Sequence, residues 1–155
     1  MPSVYIAGPD VFYPNARELA ENARALAKQY GLTALIPTDN EVKDGTKQEI
    51  SKAIFRANVQ MIESADAVVA NISPFRGPSA DAGTVWEIGY ARGTGKPVVA
   101  FSDDTRDYKT RAEKYPDGNM IEDFENVDNL MIAECLQGKV HRSIGDALKA
   151  VSEAL

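Results

Sequence analysis

The sequence predicts an α/β fold: a doubly wound (Rossmann- or flavodoxin-like), mostly parallel five-stranded sheet with helices on both faces, in a single domain over residues 1–155. Short apolar runs alternate with longer segments of helical spacing, the order that strand–helix–strand units require. The run Asp66-Ala67-Val68-Val69-Ala70-Asn71 is apolar at odd and even positions alike, as a central parallel strand covered on both faces must be. Gly or Pro punctuates the segments, at Gly8-Pro9, Gly31 and Pro37.

Each element follows in turn. Ser3-Val4-Tyr5-Ile6-Ala7 is the first strand, ended by Gly8-Pro9. Residues 15–30 form a helix, with Ala16, Leu19, Ala20, Ala23, Leu26 and Ala27 on one face and Gly31 as its stop. Residues 33–36 form the second strand, closed by Pro37. A loop through Asp39-Asn40 and Lys43-Asp44-Gly45 leads to a helix over 46–63, in which Ile50, Ile54, Ala57 and Met61 share a face. Residues 66–71 are the third strand. The loop Ser73-Pro74-Phe75-Arg76-Gly77-Pro78 feeds a helix that stops near Gly93, and 97–101 is the fourth strand. Residues 102–126 are polar and irregular, with no periodicity that assigns an element. Residues 139–141 are predicted as a short fifth strand and 143–155 as a closing amphipathic helix.

Composition narrows the chemistry. Hydrophobic residues make up 44% and charged residues 26%, the balance of a globular protein with a real core. A net charge of -6 without a basic stripe argues against nucleic acid as a partner. No apolar run reaches membrane-spanning length and no export segment opens the chain, so a cytoplasmic location without membrane association is expected. One cysteine, Cys135, excludes an internal disulfide framework. With one histidine besides, a zinc site would have to be almost wholly carboxylate, which zinc does not favour. His141 sits in Lys139-Val140-His141-Arg142-Ser143, the end of a strand before a helix cap, and reads poorly as a catalytic base.

The chemically unusual stretch is Ser79-Ala80-Asp81-Ala82-Gly83-Thr84-Val85-Trp86-Glu87-Ile88-Gly89-Tyr90. Asp81 stands at a helix start, able to cap the first N–H groups. Glu87 is the one charged side chain in the apolar segment that follows, where Trp86, Ile88, Gly89 and Tyr90 are expected to be buried. A glutamate near a helix N-terminus feels the positive end of the macrodipole, which favours ionisation and suits a carboxylate nucleophile. Taken alone, a helix glutamate is more often solvated and an aspartate before a helix more often a simple cap. If Asp81 lies in the approach loop, however, both carboxylates can face one cleft.

The fold supplies the second reason to expect a site. Ligands in such sheets bind beyond the carboxyl ends of the strands, where Gly8-Pro9-Asp10, Asp39-Asn40 and the 73–81 segment would converge. The first turn is no dinucleotide fingerprint, since Pro9 removes an N–H that a phosphate would use. A site rich in acid suits an uncharged polar ligand. Tyr5, Phe12, Tyr13, Phe75 and Trp86 are candidates for a stacking wall, although aromatics in such chains are mostly core. Two carboxylates, one of them ionised, are the equipment for displacement at an anomeric carbon through a covalent glycosyl-enzyme.

The segment Asp81-x-Gly83-x-x-x-Glu87-x-Gly89-Tyr90-Ala91 resembles the catalytic motif of the nucleoside 2-deoxyribosyltransferases. Further matching pieces are Val4-Tyr5-Ile6-Ala7-Gly8-Pro9, Ile36-Pro37-Thr38-Asp39-Asn40, Ile72-Ser73-Pro74-Phe75-Arg76-Gly77 and Asp128-Asn129-Leu130-Met131, in the family's order over nearly the whole chain. The resemblance implies a pentosyltransferase without cofactor or metal that exchanges the base of a 2'-deoxynucleoside, with retention of configuration. It implies Glu87 as nucleophile, Asp81 as the carboxylate that manages the base's proton, and Tyr5 as the group that orients Glu87. Gly8, Phe12, Asp39, Asn58, Phe75, Gly83, Asn129 and Met131 complete the expected substrate-binding set. Asn58 stands where some relatives carry aspartate. The partners implied are a deoxynucleoside, a free nucleobase, and further copies of this chain. That homo-oligomer would be built on a dimer unit, with a hexamer among the options, in which Asn129 reaches the neighbouring site. Two alternatives stay open. One is an N-glycoside hydrolase of deoxynucleosides or deoxynucleoside monophosphates, although Gly8-Pro9-Asp10 is a poor phosphate cradle. The other is a non-catalytic nucleotide-sensing module, which has no need of Glu87.

Overall fold

The structure, a computed structural model, describes residues 1–40 and 42–155. Four strands, β1 (Ser3–Ala7), β2 (Thr33–Leu35), β3 (Ala67–Asn71) and β4 (Val98–Phe101), form a parallel sheet in the order β2-β1-β3-β4. The helices are α1 (Ala16–Gln29), α2 (Lys47–Ser64), α3 (Ala82–Gly93), α4 (Tyr108–Ala112), α5 (Leu130–Ala133) and α6 (Ile144–Ala154). The period-2 alternation of each strand divides the core in two. Val4, Ile6, Val69 and Val99 face α1 and α6, where Ala23, Ala27, Leu148 and Val151 are buried. Tyr5, Val68, Ala70 and Val98 face the other way, onto Ile62 of α2, Ile88 and Ala91 of α3 and Ile132 of α5. Each Val or Ile buried this way contributes about 1.5–3 kcal/mol, so the two apolar layers dominate the fold's energetics.

Side-chain caps start α2, α3, α5 and α6, while α1 and α4 begin without one. Thr46, Asp81, Asn129 and Ser143 each accept a hydrogen bond from a backbone N–H of the helix that follows.

The predicted fifth strand shrinks to one bridge. His141 N–H donates to Ala100 O at 2.9 Å and Ser102 N–H donates to His141 O at 2.9 Å, and apart from Gln137 N–H donating to Val98 O at 2.7 Å the segment adds no further strand pairing. Gly138 turns the chain in the left-handed region at φ 75°, and Ser143 already caps α6, so no length remains for a strand.

Residues 102–126, which showed no period, contain the short α4 and a loop fastened by one buried cation. Arg111, 4% exposed, donates to the carbonyls of Pro78 (2.9 Å), Arg106 (2.7 Å) and Val127. Such tertiary fastening leaves no trace in hydrophobic periodicity.

Two burial expectations also change. Trp86 is 47% exposed and Gly89 is exposed, because α3 turns Thr84, Ile88 and Ala91 to the sheet and its aromatic side to a cleft. Trp86 stacks on Tyr90 with ring centroids 5.1 Å apart and meets Phe55 of α2 edge-on. On α2, Ile62 is the buried residue while Ile54 is exposed, since one stripe of that helix lines the cleft instead of the core.

Candidate active site

The strand order places a topological switch between β1 and β3, the position where open α/β sheets bind ligands. A cleft of about 780 Å³ opens beside that point, walled by the ends of β1 and β2, by α2 and by the start of α3. Gly8 lets β1 end against β3. A Cβ there would lie 2.8 Å from Asn71 Cβ and 2.9 Å from Asp10 Oδ1.

Glu87 and Asp81 both line this cleft, although six positions apart. They do so because Asp81 is not helical. It is the N-cap of α3 (φ −54°, ψ 135°), and its Oδ2 accepts from Thr84 N–H and from the Thr84 hydroxyl, both at 3.0 Å. A Cβ at Gly83 would press to 3.3 Å of that same Oδ2, so the missing side chain protects the cap. The capping role and the cleft-facing position therefore belong to one residue.

Tyr5 lies fully buried in β1, beneath Glu87, and its hydroxyl donates to Glu87 Oε2. It is at once a core tyrosine and a partner of the carboxylate.

Glu87 is raised from 4.5 to about 7, first by burial, against which the Tyr5 hydroxyl acts, and further by the charge of Asp81. The helix-dipole expectation of a fully ionised carboxylate is thus overridden by desolvation. The Tyr5 phenol is itself pushed far upward by burial and by the Glu87 charge, so it stays protonated as a donor.

Of the expected binding residues, Gly8, Phe12, Asn58 and Gly83 line the cleft. Phe75 stands behind Phe12, stacked at 5.5 Å, with the Arg76 guanidinium over both rings. Asp39 is absent from the cleft wall. It pairs with Arg24, while its neighbours Thr38 and Asn40 face the cleft. Asn129 and Met131 stand apart, at the start of α5. Asn129 Oδ1 accepts from Met131 N–H at 2.9 Å, its Nδ2 donates to Glu122 at 2.6 Å, and Met131 is 70% exposed.

Sequence reasoning missed part of the wall. Phe55, Val59 and Ile62 of α2, together with Ile54 from the face assigned to the core, supply an apolar side. It also gave no role to Asp128, 1% exposed, which ties the approach to α3 to the approach to α5. Its carboxylate accepts from the Ser79 hydroxyl (2.8 Å), Ala80 N–H (2.9 Å) and Asn129 N–H (2.7 Å). A polar residue between loops carries no sequence signal for such a role.

Comparison with known proteins bears on this arrangement directly. A family model described as nucleoside 2-deoxyribosyltransferase matches residues 4–131. The chain belongs to that family. Every candidate site residue from Tyr5 to Met131 falls inside the matched span, with α6 beyond it. A 2-deoxyribosyltransferase of Leishmania mexicana is similar in structure, with TM-score 0.84 and 37% identity, covering 99% of this chain and 98% of the other. A 2-deoxyribosyltransferase of Bacillus psychrosaccharolyticus is similar at TM-score 0.66 and 25% identity, covering 97% and 95%. Among curated proteins, an uncharacterized protein of Schizosaccharomyces pombe is 32% identical over 121 residues, 74% of this chain. The chain spans only 56% of that relative's length. Among the described residues no helix is long and apolar enough to cross a membrane.

Proposed function

We propose that this chain transfers the 2-deoxyribosyl group between nucleobases by a retaining double displacement through a deoxyribosyl ester on Glu87. The observation that carries the reading is a carboxylate set in a mostly apolar cleft, held by a buried tyrosine hydroxyl, with a second carboxylate at the same helix start. Family membership and the likeness to two 2-deoxyribosyltransferases support it.

In the first step a Glu87 oxygen attacks C1' of the bound nucleoside. The C1'–N bond breaks, its electron pair stays on the base, and Asp81 delivers a proton to that base. In the second step Asp81 takes the proton from an incoming base, whose nitrogen attacks C1' and releases the Glu87 carboxylate. Two inversions give retention. Tyr5 fixes the orientation of Glu87 and lends its hydroxyl to the ionised form. Asn129 and Met131 lie off the cleft of their own chain and serve the site of a neighbouring copy, which makes the active species at least a dimer.

The test is incubation with deoxyinosine and adenine, followed by chromatography. Deoxyadenosine and hypoxanthine should appear together. Free deoxyribose formed as fast with adenine as without it would make the chain a nucleosidase instead.

A further inference from the structure

The turn after β2 carries part of the cleft wall and has little to hold it in place. β2 is an edge strand of the sheet and three residues long, Thr33–Leu35. The chain then makes one tight turn, Pro37–Asp39, in which Asp39 N–H donates to Ile36 O at 2.9 Å and Asn40 N–H donates to Pro37 O at 3.0 Å. Those bonds shape the turn without tying it to another element. Pro37, Thr38 and Asn40 line the cleft, so the place of the turn sets the place of that wall.

Packing beneath the turn is incomplete. α1 presents Ala16, Leu19, Ala20 and Ala23 to it, and a void of about 30 Å³ remains between these side chains and Ile36, Pro37 and Thr38. Atoms that face a void have no partners there, so dispersion grips the turn weakly. An ion pair crosses from α1 instead, the Arg24 guanidinium on Asp39 Oδ1. The two side chains are 42% and 41% exposed, and a pair that open adds little to global stability. Its consequence is local: it fastens the one residue that stands between Thr38 and Asn40.

We infer that Arg24 is a positioning residue for the cleft. From the opposite face of the sheet it holds Asp39, and through Asp39 it keeps the turn where Thr38 and Asn40 meet a bound nucleoside. Asp39 thus acts through Arg24 and not by touching substrate. Salt screens a half-exposed ion pair, so affinity for even an uncharged nucleoside falls as ionic strength rises.

The inference rests on the cleft being the nucleoside site of the proposed transferase, and its test separates the two. Deoxyinosine carries no charge, so salt acts on its binding through the protein. Trp86, the chain's one tryptophan, lines the cleft and gives Kd by fluorescence without turnover, while exchange with adenine gives KM and kcat. Wild type, Arg24→Gln, Asp39→Asn and the double variant are compared at about 20 mM and about 0.5 M salt.

At low salt each single variant should raise Kd and KM about threefold to fivefold, the worth of an exposed ion pair. Its kcat should stay within about twofold of wild type and its Tm within about 3 °C. The double variant should be no worse than either single one. High salt should bring wild type to the level of the variants and leave the variants unmoved. A rise for Asp39→Asn alone, or rises that add in the double variant, would mean that Asp39 touches substrate, and overturns the inference. Wild-type binding that ignores salt overturns it even if a variant fails to fold. Salt-sensitive binding without exchange leaves the inference standing and sinks the transferase reading. Exchange with Kd and KM indifferent to salt does the reverse. A wild type that neither binds nor exchanges deoxyinosine overturns both.

Discussion

The hydroxyl of Tyr5, from the first strand, donates to Glu87 Oε2, from the helix that follows the third. The contact joins two residues 82 positions apart and sets a protonated phenol beneath a carboxylate whose pKa lies at about 7. Burial favours the neutral acid, while the phenol favours the anion that a nucleophile requires.

Removing the phenol hydroxyl should therefore show in the pH profile. In wild type, kcat/KM should rise as Glu87 ionises, with its acid limb near pH 7. Tyr5→Phe keeps the burial and loses the hydrogen bond that lowers the pKa, so the limb moves to higher pH. Activity at pH 7 should fall roughly five- to tenfold and largely recover by about pH 9. A limb that stays in place would mean that Tyr5 acts only as core.

Glu87 also links stability to pH. Its pKa in the folded chain is raised above the 4.5 of an exposed glutamate, so the folded state holds the proton more tightly than the unfolded one. The resulting stability is fully present below pH 4.5 and is lost as pH climbs through about 7, by up to roughly 3 kcal/mol. Glu87→Gln, which cannot ionise, should lose activity at every pH. It should also gain stability over wild type at pH 8 that largely vanishes at pH 4. Denaturant unfolding of both proteins at the two pH values measures it; an equal difference at both contradicts the buried carboxylate.

Asp128 is predicted to hold the site together from outside it. Asp128→Ala strands the Ser79 hydroxyl and the N–H groups of Ala80 and Asn129, and should cost about 2–4 kcal/mol of stability. Ser79→Ala removes one of those bonds with its donor and should cost about 1 kcal/mol. Thermal unfolding of both variants gives the comparison, and equal losses would argue against a shared anchor.

The neighbouring-site role of Asn129 has its own test. Glu87→Ala and Asn129→Ala proteins, each inactive alone, should regain activity when their subunits are mixed, because one mixed site keeps both groups. No recovery after proven exchange of subunits would return Asn129 to a helix cap.

Four strands of the sheet were legible in sequence because strand period and turn chemistry agree there: β1 occupies the predicted 3–7, and α2 starts immediately after its cap, Thr46. The convergence of Gly8, Asn40 and Asp81 on one cleft followed from topology alone. What stayed hidden depends on partners distant in sequence. The protonation of Glu87 is set by burial more than by its helix, and Arg111 takes its meaning from carbonyls at Pro78 and Val127. The half-exposed Trp86 reads as core until α2 is placed beside it.

The account stands on Glu87 as the group that carries the sugar. Wild-type protein mixed with deoxyinosine without an acceptor base, quenched in acid within the first turnovers and digested, should yield one peptide heavier by a deoxyribosyl group. Fragmentation should place the added mass on Glu87, and adding adenine before the quench should remove it as deoxyadenosine forms. Exchange that proceeds at full rate in Glu87→Ala, or an adduct on any other residue, would contradict it.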